Sequence, residues 1–163
     1  MRDEDRLMKT EKKILRYEGL GFPVNLIGFP TKKIDDAEVP DYNMNDLMRL
    51  AFEALIIKKS RLTGAELKFV RNYLGETQAE LAKNVNAQHH SSVCGWEKKW
   101  SMPTGMDTNT EVVLRLYMLL HTKSKLKKIY DATWMKLNGI IFDALASLNG
   151  EPEALSLEYK EAA

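Results

Sequence analysis

The residues of this chain that could do chemistry lie close together, between positions 77 and 99. Six of them are small or can form hydrogen bonds, and they follow one another along the sequence: His89, His90, Ser91, Ser92, Cys94 and Gly95. Hydroxyl and imidazole groups donate and accept hydrogen bonds, and glycine leaves room for a close neighbour. The set contains no nucleophile–base–acid triad around Cys94. We therefore expect these residues to contact the polar edge of another molecule, and we predict no enzymatic activity.

The same residues argue against a metal site. One cysteine is too few for an intrachain disulfide or for a zinc site built from several cysteines. His89 and His90 are adjacent, and adjacent residues point to different sides of a helix, which does not suit a shared metal ion. We predict neither a metal nor any other cofactor.

Two capping signatures place this stretch on consecutive helices. Thr63 is followed three residues later by Glu66, and Thr77 is followed three residues later by Glu80. This Thr-x-x-Glu pattern is typical of a helix N-terminus, where the two side chains satisfy backbone amides that have no partner within the helix. Gly75 predicts the end of the first helix, because glycine readily adopts the left-handed conformation found just past a helix C-terminus.

A third helix is predicted at about residues 89–99, after a turn at Asn86. Val93 and Trp96 are three residues apart and would form its buried stripe, which leaves the small and polar residues facing outward. The major groove of B-DNA is ~12 Å wide and accepts one α-helix. Three short helices with this spacing therefore predict a helix-turn-helix whose third helix enters the major groove.

The motif TQAELAKNV…SSVCGWEKK resembles the helix-turn-helix of the XRE class of phage-repressor (Cro-like) regulators, whose second helix begins with Gln and whose third carries Val-x-x-Trp-Glu. The stretch LTGAELKFVRNYLGETQAEL is similar to the DNA-binding half of YgiT/MqsA-type antitoxins, and the likeness covers about residues 17–120. The resemblance implies a dimeric repressor and, for an antitoxin, a toxin protein as a further partner. The zinc lobe of those antitoxins needs paired cysteines, which this chain lacks.

The expected contacts with double-stranded DNA form two sets. The residues predicted to reach base edges are His89, His90, Ser91, Ser92 and Gly95. The residues predicted to contact phosphates are Lys68, Thr77, Gln78, Lys98 and Lys99. Two alignments with the XRE motif stay open: counted from the turn, the base-facing residues begin at His89, and counted from the buried stripe they begin at His90. His90 and Ser91 lie close to the groove in both.

Charge and composition set limits on the partner and the location. The 163-residue chain has a net charge of +1, but residues 58–100 carry eight basic and four acidic side chains. Such a local surplus of positive charge attracts phosphates. No apolar run approaches the ~20 residues that span a bilayer, and the first 13 residues lack the apolar core of a secretion signal. We expect a cytoplasmic protein that does not enter a membrane.

The helical periodicity and the XRE resemblance together predict a mainly α fold: a five-helix, lambda-repressor-like helix-turn-helix domain with a small N-terminal β arm and an extra C-terminal helix. The predicted boundaries are 1–45 for the arm, with one hairpin-like segment and an acidic loop at 35–43; 46–121 for the DNA-binding domain; 122–150 for the C-terminal helix; and 151–163 for an acidic tail.

Two alternatives remain open on the sequence alone. The chain could be a protein-interaction adaptor that keeps the helix-turn-helix shape without binding DNA, because the third helix has no arginine and the net charge is small. The two-fold dimer expected of a regulator that binds two half-sites could form through the apolar C-terminal helix or through the N-terminal β arm.

Overall fold

A computed structural model describes residues 12–122 and 153–160 of the chain. Within these ranges four strands come first, five helices follow, and a fifth strand comes last. The elements are β1 (Ile14–Tyr17), β2 (Val24–Ile27), β3 (Thr31–Ile34), β4 (Ala37–Pro40), α1 (Met44–Ile56), α2 (Gly64–Leu74), α3 (Gln78–Asn84), α4 (His90–Glu97), α5 (Thr108–Leu120) and β5 (Leu155–Glu158). The predicted C-terminal helix at 122–150 lies outside the described residues except for Thr122, as do residues 1–11, 151–152 and 161–163.

The prediction of a mainly α, lambda-repressor-like fold is wrong. The described residues contain two sheets with five strands beside the five helices. Four of these strands fall within the predicted arm, where one hairpin-like segment was expected. The acidic loop predicted at 35–43 is in large part the β3–β4 hairpin, in which Asp35 and Asp36 form the connection with φ values of 47° and 65°. A two-residue hairpin turn with positive φ at both positions matches the right-handed twist of the strands.

The fifth strand completes a sheet that joins the two ends of the described chain. β1 pairs antiparallel with β2, and β2 pairs in parallel with β5, with Val24 opposite Leu155. In β5 the buried Leu155 and Leu157 alternate with exposed residues, which is the period-two pattern of a strand with one buried face. The predicted acidic tail therefore contains a strand that is held by residues about 130 positions away in the sequence.

One hydrophobic core connects the sheet to the helices. Val24 and Leu26 of β2 are fully buried in the same cluster as the apolar faces of α1, α2 and α5. Phe22, just before β2, meets Phe69 of α2 edge to face, with ring centroids 5.3 Å apart. Aromatic pairs in this geometry add to the stabilisation that burial provides. Phe22, next to the sheet, therefore packs on α2, and α2 in turn contacts α4.

A buried arginine fixes the linker between α1 and α2. The Arg115 side chain on α5 is inaccessible to solvent, and its guanidinium donates to the backbone carbonyls of Ile56 (3.1 Å), Lys58 (2.6 Å) and Ser60 (2.9 Å). It also donates to Glu111 Oε1 at 2.7 Å, so its charge is paired. A cation beside the C-terminal carbonyls of a helix is favourable because the dipole is negative there. The start of α2 is thereby held in one position.

Candidate nucleic-acid interface

Local capping chemistry sets the boundaries of α2 and α3, as predicted. Thr63 and Glu66 form a complete capping box, and so do Thr77 and Glu80. Gly75 ends α2 with a φ of 72°, in the left-handed region that favours glycine. The predicted starts of both helices and the predicted end of α2 are confirmed.

The turn between α3 and α4 also follows the prediction. Asn86 has a φ of 56°, and the next amide, from Ala87, donates to the carbonyl of Ala82 at 2.8 Å. α4 covers 90–97 rather than the predicted 89–99, because His89 is the N-cap and the chain forms a turn after Glu97. The His89 side chain makes no capping hydrogen bond. It is exposed to solvent beside the N-terminus of α4.

The inner face of α4 packs as expected at one of its two positions. Val93 is fully buried in the core, against a neighbourhood that includes the buried Leu81 and Ala82 of α3. Trp96 is only half-buried and packs at the edge of the core. The expectation that both residues are buried is therefore right for Val93 and too strong for Trp96, a residue type that is rarely buried completely because of its size.

Four of the five predicted base-contact residues lie on α4, and the fifth, His89, is its N-cap. His89, His90, Ser91 and Gly95 are exposed and Ser92 is half-buried. A β-carbon placed at Gly95 would meet no atom within 4 Å, so the middle of this face is open. The α4 surface is polar, small and free of lysine or arginine between His90 and Trp96.

A buried carboxylate, which the sequence analysis missed, ties the three helices together. Glu97 on α4 accepts hydrogen bonds from Arg71 Nε (2.6 Å) and Nη2 (3.1 Å) on α2, and from Gln78 Nε2 (2.8 Å) on α3. Glu97 is 7% exposed, so water screens these interactions little. We call Arg71, Gln78 and Glu97 the Glu97 network. It fixes the orientation of α4 relative to both preceding helices.

A close backbone contact holds the other side of the motif. A β-carbon at Gly64, the first residue of α2, would lie 2.5 Å from the Trp96 carbonyl oxygen and 2.7 Å from that of Glu97. The next amide, of Ala65, donates to the carbonyl of Trp100 at 2.9 Å. The N-terminus of α2 therefore packs directly on the backbone that follows α4, and only glycine fits there.

Three of the five predicted phosphate contacts are exposed lysines, and the other two residues form hydrogen bonds within the protein. Lys68, Lys98 and Lys99 are exposed on α2 and just after α4. The Lys68 ammonium lies 6.0 Å from the centroid of the exposed Trp100 ring. Lys98 and Lys99 directly follow Glu97, the last residue of α4, and Gln78 at the start of α3 contacts the Glu97 side chain.

Thr77 and Gln78 already use donors inside the protein. The Thr77 amide and hydroxyl both donate to Glu80 Oε2, at 2.7 and 2.8 Å, and the Gln78 amide group donates to Glu97. Both hydrogen bonds from Thr77 hold the pKa of the Glu80 carboxyl below its ordinary value, and the bond from the backbone amide has the larger effect. The start of α3 therefore carries a negative charge, and the three lysines are the better candidates for phosphate binding.

A polar cleft of about 450 Å³ lies beside α4. Its walls are the α3–α4 turn, the side of α4 with Ser92 and Trp96, and the segment from Gly105 to Thr110 at the start of α5. Thr110 donates from its hydroxyl and its amide to Asp107, which lowers the pKa of that carboxyl. Asp107 therefore accepts hydrogen bonds as an anion and caps α5.

Comparisons with protein-family models, with curated proteins and with solved structures found no match to this chain. Among residues 12–122 and 153–160, no helix is both long and apolar enough to cross a bilayer. The same described residues hold no group of three or more His, Cys, Asp or Glu side chains placed to bind a metal ion.

Proposed function

We propose that this protein is a sequence-specific regulator of transcription that binds double-stranded DNA through an XRE-type helix-turn-helix, and that it acts in the cytoplasm as a homodimeric repressor. The observation that carries the proposal is the polar, open outer face of α4, with the Glu97 network holding its other side. A helix presented in this way can enter the major groove without any change in the fold.

The side chains on α4 define how the groove would be read. Ser91 and Ser92 can donate to or accept from any base, and the imidazoles of His89 and His90 can do the same. No arginine or lysine reaches toward a guanine from α4, so each single contact is weaker than a bidentate one. Gly95 offsets this by allowing the helix backbone to approach the bases closely.

Lysines around the motif would supply the part of the affinity for DNA that does not depend on the base sequence. Lys68, Lys98 and Lys99 are exposed and form no ion pair with a carboxylate of residues 12–122 and 153–160. Three neutralised phosphates per subunit would give a slope of about −2.7 when log affinity is plotted against log salt concentration. A dimer would double that value.

The test is a selection of binding sites from random duplex DNA with the full chain. We expect enrichment of a palindrome whose half-sites are about one helical turn apart, because a two-fold dimer presents α4 twice. Ser91→Ala should alter the preference at one or two base pairs, whereas Lys98→Ala should weaken binding to all sequences and reduce the salt slope by about one per subunit.

Lys33→Ala is the matched control, since Lys33 is an exposed lysine on the β3–β4 hairpin, in the sheet that does not contain β2. It should leave affinity and salt slope unchanged. No enriched sequence would favour the adaptor alternative over the regulator. Equal salt slopes for Lys98→Ala and the unmodified protein would show that the proposed docking is wrong.

A further inference from the structure

A groove of about 440 Å³ lies between α1, α2 and the loop that joins β1 to β2. The α2 side presents Ala65, Phe69 and Asn72, which are four and three residues apart and therefore share one helix face. The α1 side presents Met44 and Met48, which are four residues apart. Pockets that hold small organic molecules have volumes of about 300–1,000 Å³, so this groove is large enough for such a ligand.

Trp100 forms a further wall of the groove, and its backbone is held in place. The amide of Ala65 donates to the carbonyl of Trp100 at 2.9 Å, and the amide of Gly64 donates to that of Met102 at 3.1 Å. Trp100 has a φ of 51°, a left-handed conformation that is strained for a bulky residue and persists only where the surrounding structure fixes it. The start of α2 therefore sets the position of this wall before any ligand binds.

The walls of the groove are largely apolar and partly open to solvent. Trp100 is 57% exposed and Met44 is 45% exposed, whereas Phe69 is buried. An apolar ligand that covered Trp100 and Met44 would remove apolar surface from water, which is favourable. Methionine adapts its shape and makes favourable sulfur contacts with aromatic rings. Two methionines and two aromatic rings therefore suit an aromatic ligand.

A single positive charge lies at the groove. Among the described residues that line it, Lys68 is the one with a charged side chain, and its ammonium lies 6.0 Å from the centroid of the Trp100 ring. Lys68 and Asn72 are exposed and four residues apart on α2. Both side chains have N–H donors, from which one carboxylate can accept. A carboxylate also matches the single charge of Lys68, since a phosphate monoester carries nearly two negative charges at pH 7.

We infer that this groove binds an aromatic carboxylic acid, with the ring packed against Trp100 and the methionines of α1 and the carboxylate on Lys68 and Asn72. The ligand chemistry follows from apolar walls with one cation and no carboxylate among the described lining residues. This inference goes beyond the proposed function, and it requires neither DNA nor a dimer.

The test is isothermal titration calorimetry of the full chain, without DNA, with 2-naphthylacetate and with its uncharged analogue 2-naphthylacetamide. The acid should bind at one saturable site with a Kd of about 1 mM or below, as expected for a ligand of this size. The amide fills the same apolar space without the negative charge. It should bind about fivefold more weakly, because a hydrogen bond to a charged group is stronger than a neutral one.

Three variants locate the charge that the acid needs. Lys68→Met keeps the apolar stem and removes the ammonium, so it should bind the acid about fivefold more weakly and should bind acid and amide equally. Lys83→Met, at an exposed lysine of α3 that does not line the groove, should keep the preference for the acid. Met44→Glu adds a carboxylate at the first residue of α1, where the helix dipole favours it, and should weaken the acid more than the amide. Thermal unfolding by circular dichroism confirms that each variant is folded.

No saturable binding by the unmodified protein, equal affinities for acid and amide, or a Lys68→Met variant that still prefers the acid would each overturn the inference. None of these results would affect the selection of a DNA site by the unmodified protein. Conversely, a preference for the acid that Lys68→Met abolishes, together with no enriched DNA sequence, would support the groove as a binding site and contradict the proposed function.

Discussion

A single methyl group added at Gly95 tests the proposed DNA binding separately from the stability of the fold. It lies inside α4, its φ is not in the left-handed region, and a β-carbon there would meet nothing within 4 Å. Alanine loses less backbone entropy than glycine when it enters a helix, so Gly95→Ala should raise the free energy of unfolding by about 0.5–1 kcal/mol. For a chain of this size that corresponds to a rise in Tm of about 1–4 °C.

The effect on DNA binding should have the opposite sign. If the α4 backbone approaches the bases at Gly95, the added methyl occupies the space of a base edge, and relieving such an overlap costs about 1–3 kcal/mol. The Kd for the selected site should therefore rise about fivefold or more. Thermal unfolding followed by circular dichroism and fluorescence anisotropy with labelled duplex measure the two quantities on the same sample.

Gly64→Ala is the matched comparison, because the same methyl is added at a position where it would lie 2.5 Å from a backbone oxygen. It should lower the free energy of unfolding by about 1–3 kcal/mol, since neither backbone segment can move away easily. A Gly95→Ala variant that melts at a higher temperature and binds its selected site with unchanged affinity would refute the close approach of α4 to the bases.

Two further outcomes are expected. Arg71→Met leaves the buried Glu97 without its cation and should lower the free energy of unfolding by about 2–4 kcal/mol in urea; a loss under 0.5 kcal/mol would contradict the role given to the Glu97 network. Burial and the hydrogen bond to Glu76 raise the pKa of Tyr117 from 10.0 to about 12. The free energy of unfolding that this shift contributes is present below pH 10, so it should fall as the pH rises from 10 to 12. In the Tyr117→Phe variant the free energy of unfolding should fall less over that range.

Local signals predicted the helix ends well. The capping boxes at Thr63 and Thr77, the glycine end of α2 and the left-handed Asn86 each depend on residues within four positions of one another. Such short-range chemistry is readable from the sequence because it needs no knowledge of the rest of the fold. The exposed face of α4 followed from the same information, since the burial of Val93 fixes which side points outward.

Long-range pairing explains what the sequence analysis missed. β5 has only two buried leucines and exists because β2 offers it an edge. Arg71 and Glu97 are 26 residues apart and Gln78 and Glu97 are 19 apart, so nothing local pairs them. The Asp35–Asp36 connection carried a usable signal, because aspartate tolerates the left-handed region better than most residues, but its two acidic side chains also suit a solvated loop.

The residues of the motif fall into two groups: the buried Glu97 network, which sets the orientation of α4, and the outward positions, which do not take part in it. The residues that set the angle of α4 lie on α2, α3 and the inner side of α4, and none of the outward positions 91, 92 and 95 takes part in them. Substitutions at those three positions therefore leave the buried hydrogen bonds intact. If the proposed function holds, the DNA sequence preference of such a protein can change one side chain at a time while the buried network stays intact.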